Sequence, residues 1–528
     1  MKLMKSMSIK SLLVLLVGVM MFSSCSKKEG HLSVIPEDSI FVFSIDVPAL
    51  AKKANLKELD KLNSYNLIKS KLQGEMSAEG ISFLEELKKD PSKTGLSLTS
   101  DILAFAYGDL SNTQGAAVAE LASKKKFELF LADVMAKIGE EYQVEEDGGV
   151  NMAVIDGESV LFWDDSKVLV AGDRTEGLRL FNLPANEKLT GNASFNKFYQ
   201  GKKDISFWMG FDSILKNEDI REEIMSDPEI AGIMGNYLEL FKGTYMSTYL
   251  NFGKKDITMS FSVEMNDKMK EVYKKHNILG KMDDKLMKYL PKETYIIFSG
   301  ATNMEASFEA MKEMGLEAMY NKLDEQLAEG TGGMFTMTQF FKTIKGDFIV
   351  SLHGVDDQFS IIPLFSFVAG LNDRAMLDNV INMIPEGVVT KQLNCYEINA
   401  LDFPLYFTYD DKALLVSTDW NVASSFVEGG LKENLTSSPV AKSIKSYPAY
   451  GFLSLDYETY PNVLKQQMGS AAGMIKPFDD FFVNMEVKAL DNQSGEYVIN
   501  VEHNSSNSLE GFIKLLDTSV LPMVMMFM

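Results

Sequence analysis

The chain repeats itself at a very long period, and this constrains its fold more than any other feature. Ile35-Pro36-Glu37-Asp38-Ser39-Ile40-Phe41-Val42-Phe43-Ser44 has an echo in Leu290-Pro291-Lys292-Glu293-Thr294-Tyr295-Ile296-Ile297-Phe298-Ser299. Each is a Pro-led turn, then a β-rich run, then a helical pattern. Asp101–Phe105 (DILAF) aligns with Asp347–Ser351 (DFIVS), 246 positions later (347 − 101). Trp163-Asp164-Asp165, followed by Val168-Leu169-Val170, aligns at the same spacing with Tyr409-Asp410-Asp411, followed by Leu414-Leu415-Val416. Phe207–Asp212 resembles Phe452–Asp456, and Val263–Asn266 matches Val501–Asn504. Amphipathic strands all look alike, but chance likeness does not keep five matches in order. A period this long is a repeated domain, not a solenoid turn. We therefore expect two homologous domains, residues 32–285 and 286–528. The length agrees, because single cores stop growing near ~250–300 residues and this chain has 528.

Within the first half, residues 39–46 alternate around Phe41 and Phe43 and suit a strand. Asp46 before Val47-Pro48 is a good helix start. Helical patterns follow near 56–73 and 79–89, with Pro91 as a stop. Phe127, Phe130, Leu131 and Val134 recur at helical spacing, which predicts a helix over 124–138. Short strands fit 101–107, 115–121, 151–155, 158–163 and 167–171, with Asp164-Asp165-Ser166 turning the last pair. Helices fit 193–200 and 228–241, and a closing hairpin fits 245–253 and 256–264. Strands in adjacent, short-looped pairs with helices between them predict an α+β fold. Each domain would be a largely antiparallel sheet with helices packed on it.

The N-terminus is an address. Lys2, Lys5 and Lys10 precede a short apolar run, Leu12–Val19, continued by Met20, Met21 and Phe22. The run is too short for a stable membrane span, which needs ~20 residues, and reads as a secretory signal over 1–24. It ends Phe22-Ser23-Ser24-Cys25, which resembles the lipobox of bacterial lipoproteins, with Phe22 departing from the usual Leu. That resemblance implies cleavage before Cys25 and lipidation of it, leaving residues 25–31 as a tether and Cys395 as the lone thiol. An internal disulfide is then impossible, and the fold must stand on its apolar core.

The formal charge of −22 and only four Arg argue against a nucleic-acid partner. There is no phosphate loop, dinucleotide fingerprint, His-Glu-x-x-His helix, nucleophile elbow or paired-Cys metal motif. No cofactor and no metal are expected. The four His (His31, His276, His353, His503) are scattered and read as solvated or hydrogen-bonded groups. The weak candidates for chemistry are Asp164-Asp165 and their echoes Asp410-Asp411. A functional reading makes each pair a cation site or an acid/base couple. Their place in a tight turn favours a structural role. Phe207 and Trp208 lie in a strand, where core packing is the default. The apolar tail from Val520 to Met528 is expected to dock on the second half. Asp38-Ser39-Ile40 and Asp212-Ser213-Ile214 loosely match an O-glycosylation acceptor pattern.

Together, the Ser-Ser-Cys25 signal, the Ile35-Pro36-Glu37-Asp38 opening and its echo at Leu290-Pro291-Lys292-Glu293 resemble a family of uncharacterised Bacteroidota lipoproteins, catalogued as a domain of unknown function. The resemblance implies a location and a fold but no activity. The expectation is an outer-membrane, lipid-anchored protein facing the periplasm, with surface exposure left open. It would be a non-enzymatic module whose partners are the membrane, through the lipid, and a protein, lipid or glycan held between its halves. The alternative is an envelope hydrolase using the paired carboxylates.

Overall fold

The β-rich runs pair with their neighbours through short turns, as their spacing predicts. The computed structural model describes residues 30–75, 78–108, 113–138, 142–155, 159–215, 240–330, 336–356, 362–383, 387–392, 395–398, 403–468 and 472–521. The signal segment, Cys25, most of the helix expected at 228–241 and the tail from Pro522 lie outside the described residues. Two compact units are drawn from Met1–Arg221, Gly243–Glu264 and His503–Met528, and from Glu222–Lys242 and Met265–Glu502. These are not the two consecutive stretches 32–285 and 286–528. Residues from Met265 onward go with the second unit, and the C-terminal segment from His503 goes with the first.

Among the described residues the first unit has ten strands: β1 Ser39–Ile45, β2 Ile102–Tyr107, β3 Gln114–Glu120, β4 Glu145–Asp147, β5 Val150–Val154, β6 Val160–Trp163, β7 Lys167–Ala171, β8 Ile205–Gly210, β9 Tyr245–Phe252 and β10 Asp256–Glu264. They pair antiparallel in the order β10-β9-β8-β1-β2-β3-β7-β6-β5-β4. The second unit has β11 Ile296–Ala301, β12 Ile344–Asp356, β13 Ile362–Leu371, β14 Val389–Gln392, β15 Cys395–Ile398, β16 Leu405–Tyr409, β17 Ala413–Ser417, β18 Ala449–Ser454, β19 Phe482–Ala489 and β20 Ser494–Val501. Their order is β20-β19-β18-β11-β12-β13-β17-β16-β15-β14, again antiparallel throughout. Strand for strand, the two orders correspond.

The registers correspond as well. Ser44 faces Leu103, and Ser299 faces Ile349. Trp163 faces Val168, and Tyr409 faces Leu414. Even the isolated bridges recur, Pro36 with Lys188 and Pro291 with Asn434. One pairing differs by a residue from the sequence reading. Val42 faces Trp208 and Ile297 faces Phe452, so Trp208, not Phe207, stands where Phe452 does.

Helices close the sheet of the first unit. In α1, Val47–Lys53, the Asp46 carboxylate accepts the Ala49 N–H at 2.9 Å, and Pro48 sits in the first turn, where its missing N–H costs nothing. Then come α2 Asn63–Glu75, α3 Ala78–Lys89, α4 Lys124–Ile138, α5 Arg174–Phe181 and α6 Ala193–Gly201. The α4 span is the one its apolar spacing predicts. One core lies between the sheet and α5, α6 and the short 3-10 helix Gly30–Val34, and it contains Val42, Phe105, Phe162, Leu169, Phe195 and Trp208. A second core on the opposite face sets Phe127, Phe130, Leu131 and Val134 of α4 against Trp163 and Val168. The second unit contains α7 Asp267–Lys275, α8 Met304–Glu313, α9 Ala375–Met383, α10 Trp420–Val427 and α11 Ala441–Ser446; α10 and α11 join one core with Ile297 and Val368, and α9 joins another with Leu414.

The last helix of the first unit, Ser508–Leu515, comes from the far end of the chain. The segment leading toward the tail packs on the first unit, because its acids find their partners there. Buried Asp517 accepts the backbone N–H groups of Asn63 (2.9 Å) and Ser64 (2.5 Å) and so caps α2 across the length of the sequence. Buried Glu510 takes the Asn55 amide at 3.1 Å, the Ser506 hydroxyl at 2.7 Å and the Lys514 ammonium at 2.7 Å. Asn55 itself has φ of 52°, a left-handed conformation that Asn tolerates better than most residues. Burial alone would raise the Glu510 carboxyl, but these hydrogen bonds outweigh it and bring it down to about 2.

Two outcomes follow. Asp517→Ala should lower stability by about 1–2 kcal/mol, the usual loss for a helix cap, read as a shift in denaturation midpoint. Glu510 has its folded value below its unfolded one, so its contribution is complete above the ordinary 4.5 and fades as pH falls toward about 2. Acid unfolding of the wild type should therefore steepen across that window, and Glu510→Gln should flatten the slope there.

Candidate functional site

The aspartate pairs resolve into two different roles, the same in both units. Asp164 Oδ1 accepts the N–H groups of Ser166 (2.7 Å) and Lys167 (2.9 Å), and Asp410 Oδ1 accepts those of Lys412 (2.7 Å) and Ala413 (2.8 Å). Each is the staple of its β-hairpin turn. Asp164 also meets Lys167 Nζ at 2.6 Å. For Asp164, burial alone would raise the carboxyl. The bonds from Lys167 and Ser166 win and lower it. The second aspartate of each pair turns outward to a cation at the start of an earlier helix, Lys124 of α4 or Arg374 just before α9. Asp165 lies 3.9 Å from Lys124, and Asp411 lies 3.2 Å from Arg374. Within a pair the two carboxylates have different partners, turn amides for the first and a helix-start cation for the second. Among the described residues, no three His, Cys, Asp or Glu side chains gather as a metal set.

Nor do the other candidates converge. His276 meets Glu313 at 2.8 Å, and buried His353 lies 3.4 Å from Asp419. The Cys395 thiol is buried in the second core, 3.3 Å from the Ala423 carbonyl, and desolvation pushes its pKa up, which makes it a poor nucleophile. The Ser39 hydroxyl is buried and donates to the Pro36 carbonyl at 2.7 Å, so it offers no acceptor for a sugar. The side chain of Ser213 lies outside the described residues.

His31 belongs to a buried ionic cluster that the sequence reading missed. Asp101 Oδ1 accepts from Tyr199 Oη (2.8 Å) and Lys202 Nζ (2.7 Å), with His31 Nε2 at 3.5 Å. Its other oxygen accepts from the Ser44 hydroxyl at 2.6 Å. Burial alone would raise the Asp101 carboxyl. The contacts with His31, Lys202 and Ser44 prevail and hold it well below the usual carboxylate range. The matching residue of the second unit, Asp347, is also buried but receives the Asp283 N–H at 3.0 Å instead.

What the two units share at their surface is an apolar sheet face left part open. Strand residues alternate between faces. In β1, Val42 and Ser44 point to the helix-covered side and are buried, while Phe41 and Phe43 point the other way and are only half-buried. Across the ladder, Phe207 and Met209 of β8 join them, with the Phe41 and Phe207 rings 5.8 Å apart. The face continues through Met246 and Leu250 of β9 and Met259 and Phe261 of β10, and Met259 is 38% exposed. On these four strands its one polar side chain is Thr248. The opposite side of β10 carries Asp256, Thr258, Ser260, Ser262 and Glu264.

The second unit repeats this. Ile297 and Ser299 are buried, whereas Ile296 and Phe298 are 41% and 50% exposed. Their face continues through Leu453 of β18, Val483, Met485 and Val487 of β19 and Tyr497 and Ile499 of β20, with Val483 37% and Tyr497 38% exposed. Among the described residues, the helices of these cores cover the equivalent face over other strands, through Phe127 and Phe130 in one unit and Leu377 in the other. The missed signal was the alternation in β10, where apolar and polar residues take turns.

A polar cleft of about 400 Å³ also opens in the first unit beside Glu37, Asp38, Arg179 and Asp212. Its groups are largely engaged. Asp212 accepts the Gly243 N–H at 2.6 Å, and Arg179 donates to Glu176 at 2.9 Å.

The profile of a family described as a domain of unknown function (DUF4836) matches residues 31–509. The chain belongs to that family. DUF4836 carries no assigned activity in that description. No curated protein matches the chain. Among solved structures, crystal form IV of TP0453 is similar at 10% identity, covering 47% of this chain and 85% of that one with a TM-score of 0.24. Crystal form III of TP0453 is similar at 10% identity over 48% and 89%, with a TM-score of 0.23. Likeness this faint says nothing of what the DUF4836 chain does.

If the aspartates are turn staples, Asp164→Ala and Asp410→Ala should each cost about 1–2 kcal/mol of stability. Asp165→Asn and Asp411→Asn should each cost under about 1 kcal/mol, as exposed ion pairs do. Denaturation midpoints of the four single variants check this ordering.

Proposed function

We propose that this DUF4836 protein is a non-enzymatic, lipid-anchored envelope module, built by tandem duplication, that holds hydrocarbon chains against its open sheet faces. The anchor reading rests on the Ser-Ser-Cys25 signal and places the protein at the outer membrane, facing the periplasm. The duplication reading is supported by the shared strand order and register. The binding reading is carried by one observation: the same apolar face is left part open in both units, with Phe298 half exposed in the middle of a strand.

The chemistry of that face selects among a protein, a glycan and a lipid. A glycan needs fixed donors and acceptors beside its aromatic platforms, and these strands offer Thr248 in one unit and Tyr497 in the other. A protein interface carries roughly one hydrogen bond per ~100–200 Å² and charged groups at its rim, neither of which the strands of this face supply. An acyl chain asks only for uncharged, adaptable contact, and Phe with Met provides it. Each buried CH₂ contributes about 0.8 kcal/mol, so a fatty chain lying on such a face gains several kcal/mol. The hydrolase alternative loses its candidates, since Asp164 and Asp410 are engaged by turn amides.

Binding is tested with a fluorescent long-chain fatty acid titrated into the purified protein. Phe207→Glu and Phe298→Glu, alone and together, should each weaken uptake at least about tenfold while the melting temperature stays near wild type, because a carboxylate on the face must be desolvated by the chain. Unchanged uptake in the double variant would sink the proposal.

A further inference from the structure

The open face of the first unit differs from its counterpart in its sulfur. The strand registers set its side chains in three rows across β1, β8, β9 and β10. The first row is Phe41, Met209, Met246 and Val263, the second Phe43, Phe207, Thr248 and Phe261, and the third Ile45, Ile205, Leu250 and Met259. Rings fill the middle row, and thioethers lie in the rows on either side of it. The matched positions of the second unit hold Leu453 for Met209, Met485 for Met246 and Gly495 for Met259. Two of the three sulfurs are therefore not demanded by the duplicated architecture.

Nor are these sulfurs sealed from solvent. Met259 is 38% exposed, and Met209 and Met246 are half-buried, whereas Met152 and Met287 are enclosed in the cores. The Cys395 thiol, buried and with its pKa pushed up by desolvation, is no easier target for an oxidant.

We propose that Met209, Met246 and Met259 form an oxidation site, at which a hydroperoxide converts thioethers to sulfoxides and so releases the hydrocarbon chain from the first unit. This rests on the reading of the face as a hydrocarbon site. A sulfur lone pair attacks one peroxide oxygen, the O–O bond breaks and an S–O bond forms. The sulfur is oxidised by two electrons and the peroxide is reduced by two. The proton of the transferred oxygen passes to the departing one, which leaves as water from hydrogen peroxide or as an alcohol from an organic hydroperoxide. An apolar, flexible side chain has then become a polar one. A sulfoxide oxygen accepts hydrogen bonds, and a hydrocarbon lying over it leaves it dry and unpaired. Thr248, the one polar side chain of the face on these strands, has a single hydroxyl proton to offer three such oxygens. Reduced Met adapts to a chain laid against it, and oxidised Met rejects it. The change is reversible, because reductases return the sulfoxide to the thioether.

The test treats the purified protein with graded hydrogen peroxide, maps sulfoxides by peptide mass spectrometry and reads uptake of the fluorescent fatty acid before and after. Met383, 54% exposed at the end of α9 and off these strands, reports the dose. The three methionines should oxidise at doses that oxidise Met383 and before Met152 and Met287. Uptake should then fall at least about tenfold while the melting temperature holds, and a sulfoxide reductase should restore it. Met209→Leu with Met246→Leu and Met259→Leu, compared with itself before treatment, should lose less than about twofold. The proposal is overturned by three methionines still reduced when Met383 is oxidised, by full uptake after they oxidise, or by an equal loss in the Leu variant. If the untreated protein takes up no fatty acid, the hydrocarbon reading fails on its own, and retention on a phenyl matrix decides the site. Earlier elution of oxidised wild type, but not of the oxidised Leu variant, keeps the three methionines as the site that turns this face polar, and equal elution ends it.

Discussion

A β-strand has two faces, and when both carry apolar side chains both must leave water. This constraint governs the rest of the molecule. In each unit the helices bury a core on one face, with Val42, Phe105, Leu169 and Trp208 in the first unit and Ile297, Ile349, Val368 and Leu415 in the second. The second face is also apolar, and among the described residues the cores with Phe127 and Leu377 cover it over strands other than β8 to β10 and β18 to β20. Phe41, Phe43, Phe207 and Met209, like Ile296 and Phe298, are left with partial contact. Exposed area of this kind is unfavourable at about 25 cal/mol per Å². A soluble monomer has no stability reason to keep it twice.

Corresponding positions in the two units show which residues the architecture itself demands. The hairpin staple (Asp164, Asp410), the outward ion pair (Asp165 with Lys124, Asp411 with Arg374) and the bridge at Pro36 and Pro291 occur in both. Their shared geometry explains them as parts of a turn, a helix start and a strand entry. Residues that differ at matched positions need some other reason. Asp101 is surrounded by His31, Tyr199, Lys202 and Ser44, whereas Asp347 takes a single backbone amide.

Much of this was legible in the sequence because it is local. The α4 span follows from Phe127, Phe130, Leu131 and Val134, and the β6–β7 turn from Asp164-Asp165-Ser166. Matched runs such as Asp101–Phe105 and Asp347–Ser351 predict matched registers, which depend only on pairing neighbours. What escaped was long-range or two-sided. Asp517 caps α2 from 454 residues away, and no periodicity announces such a partner. The slip between Phe207 and Trp208 moves a ring from the open face to the core, and only the ladder decides it. The open face itself was hidden because strands with apolar residues on both sides read as fully buried.

The buried cluster at Asp101 is poorly explained by stability alone. Removing charges from water is expensive, and apolar residues of similar volume would serve a core as well or better. What an ionic cluster does supply is a unique arrangement, since misplacing one member strands the others. His31 is the member that matters here. It is buried within the 3-10 helix Gly30–Val34, whose Leu32 and Val34 join the first core, so the cluster ties that helix to the sheet. In the second unit Asp347 takes the Asp283 amide instead. His31 and its neighbours are held by an ion pair, two hydroxyls and apolar packing at once.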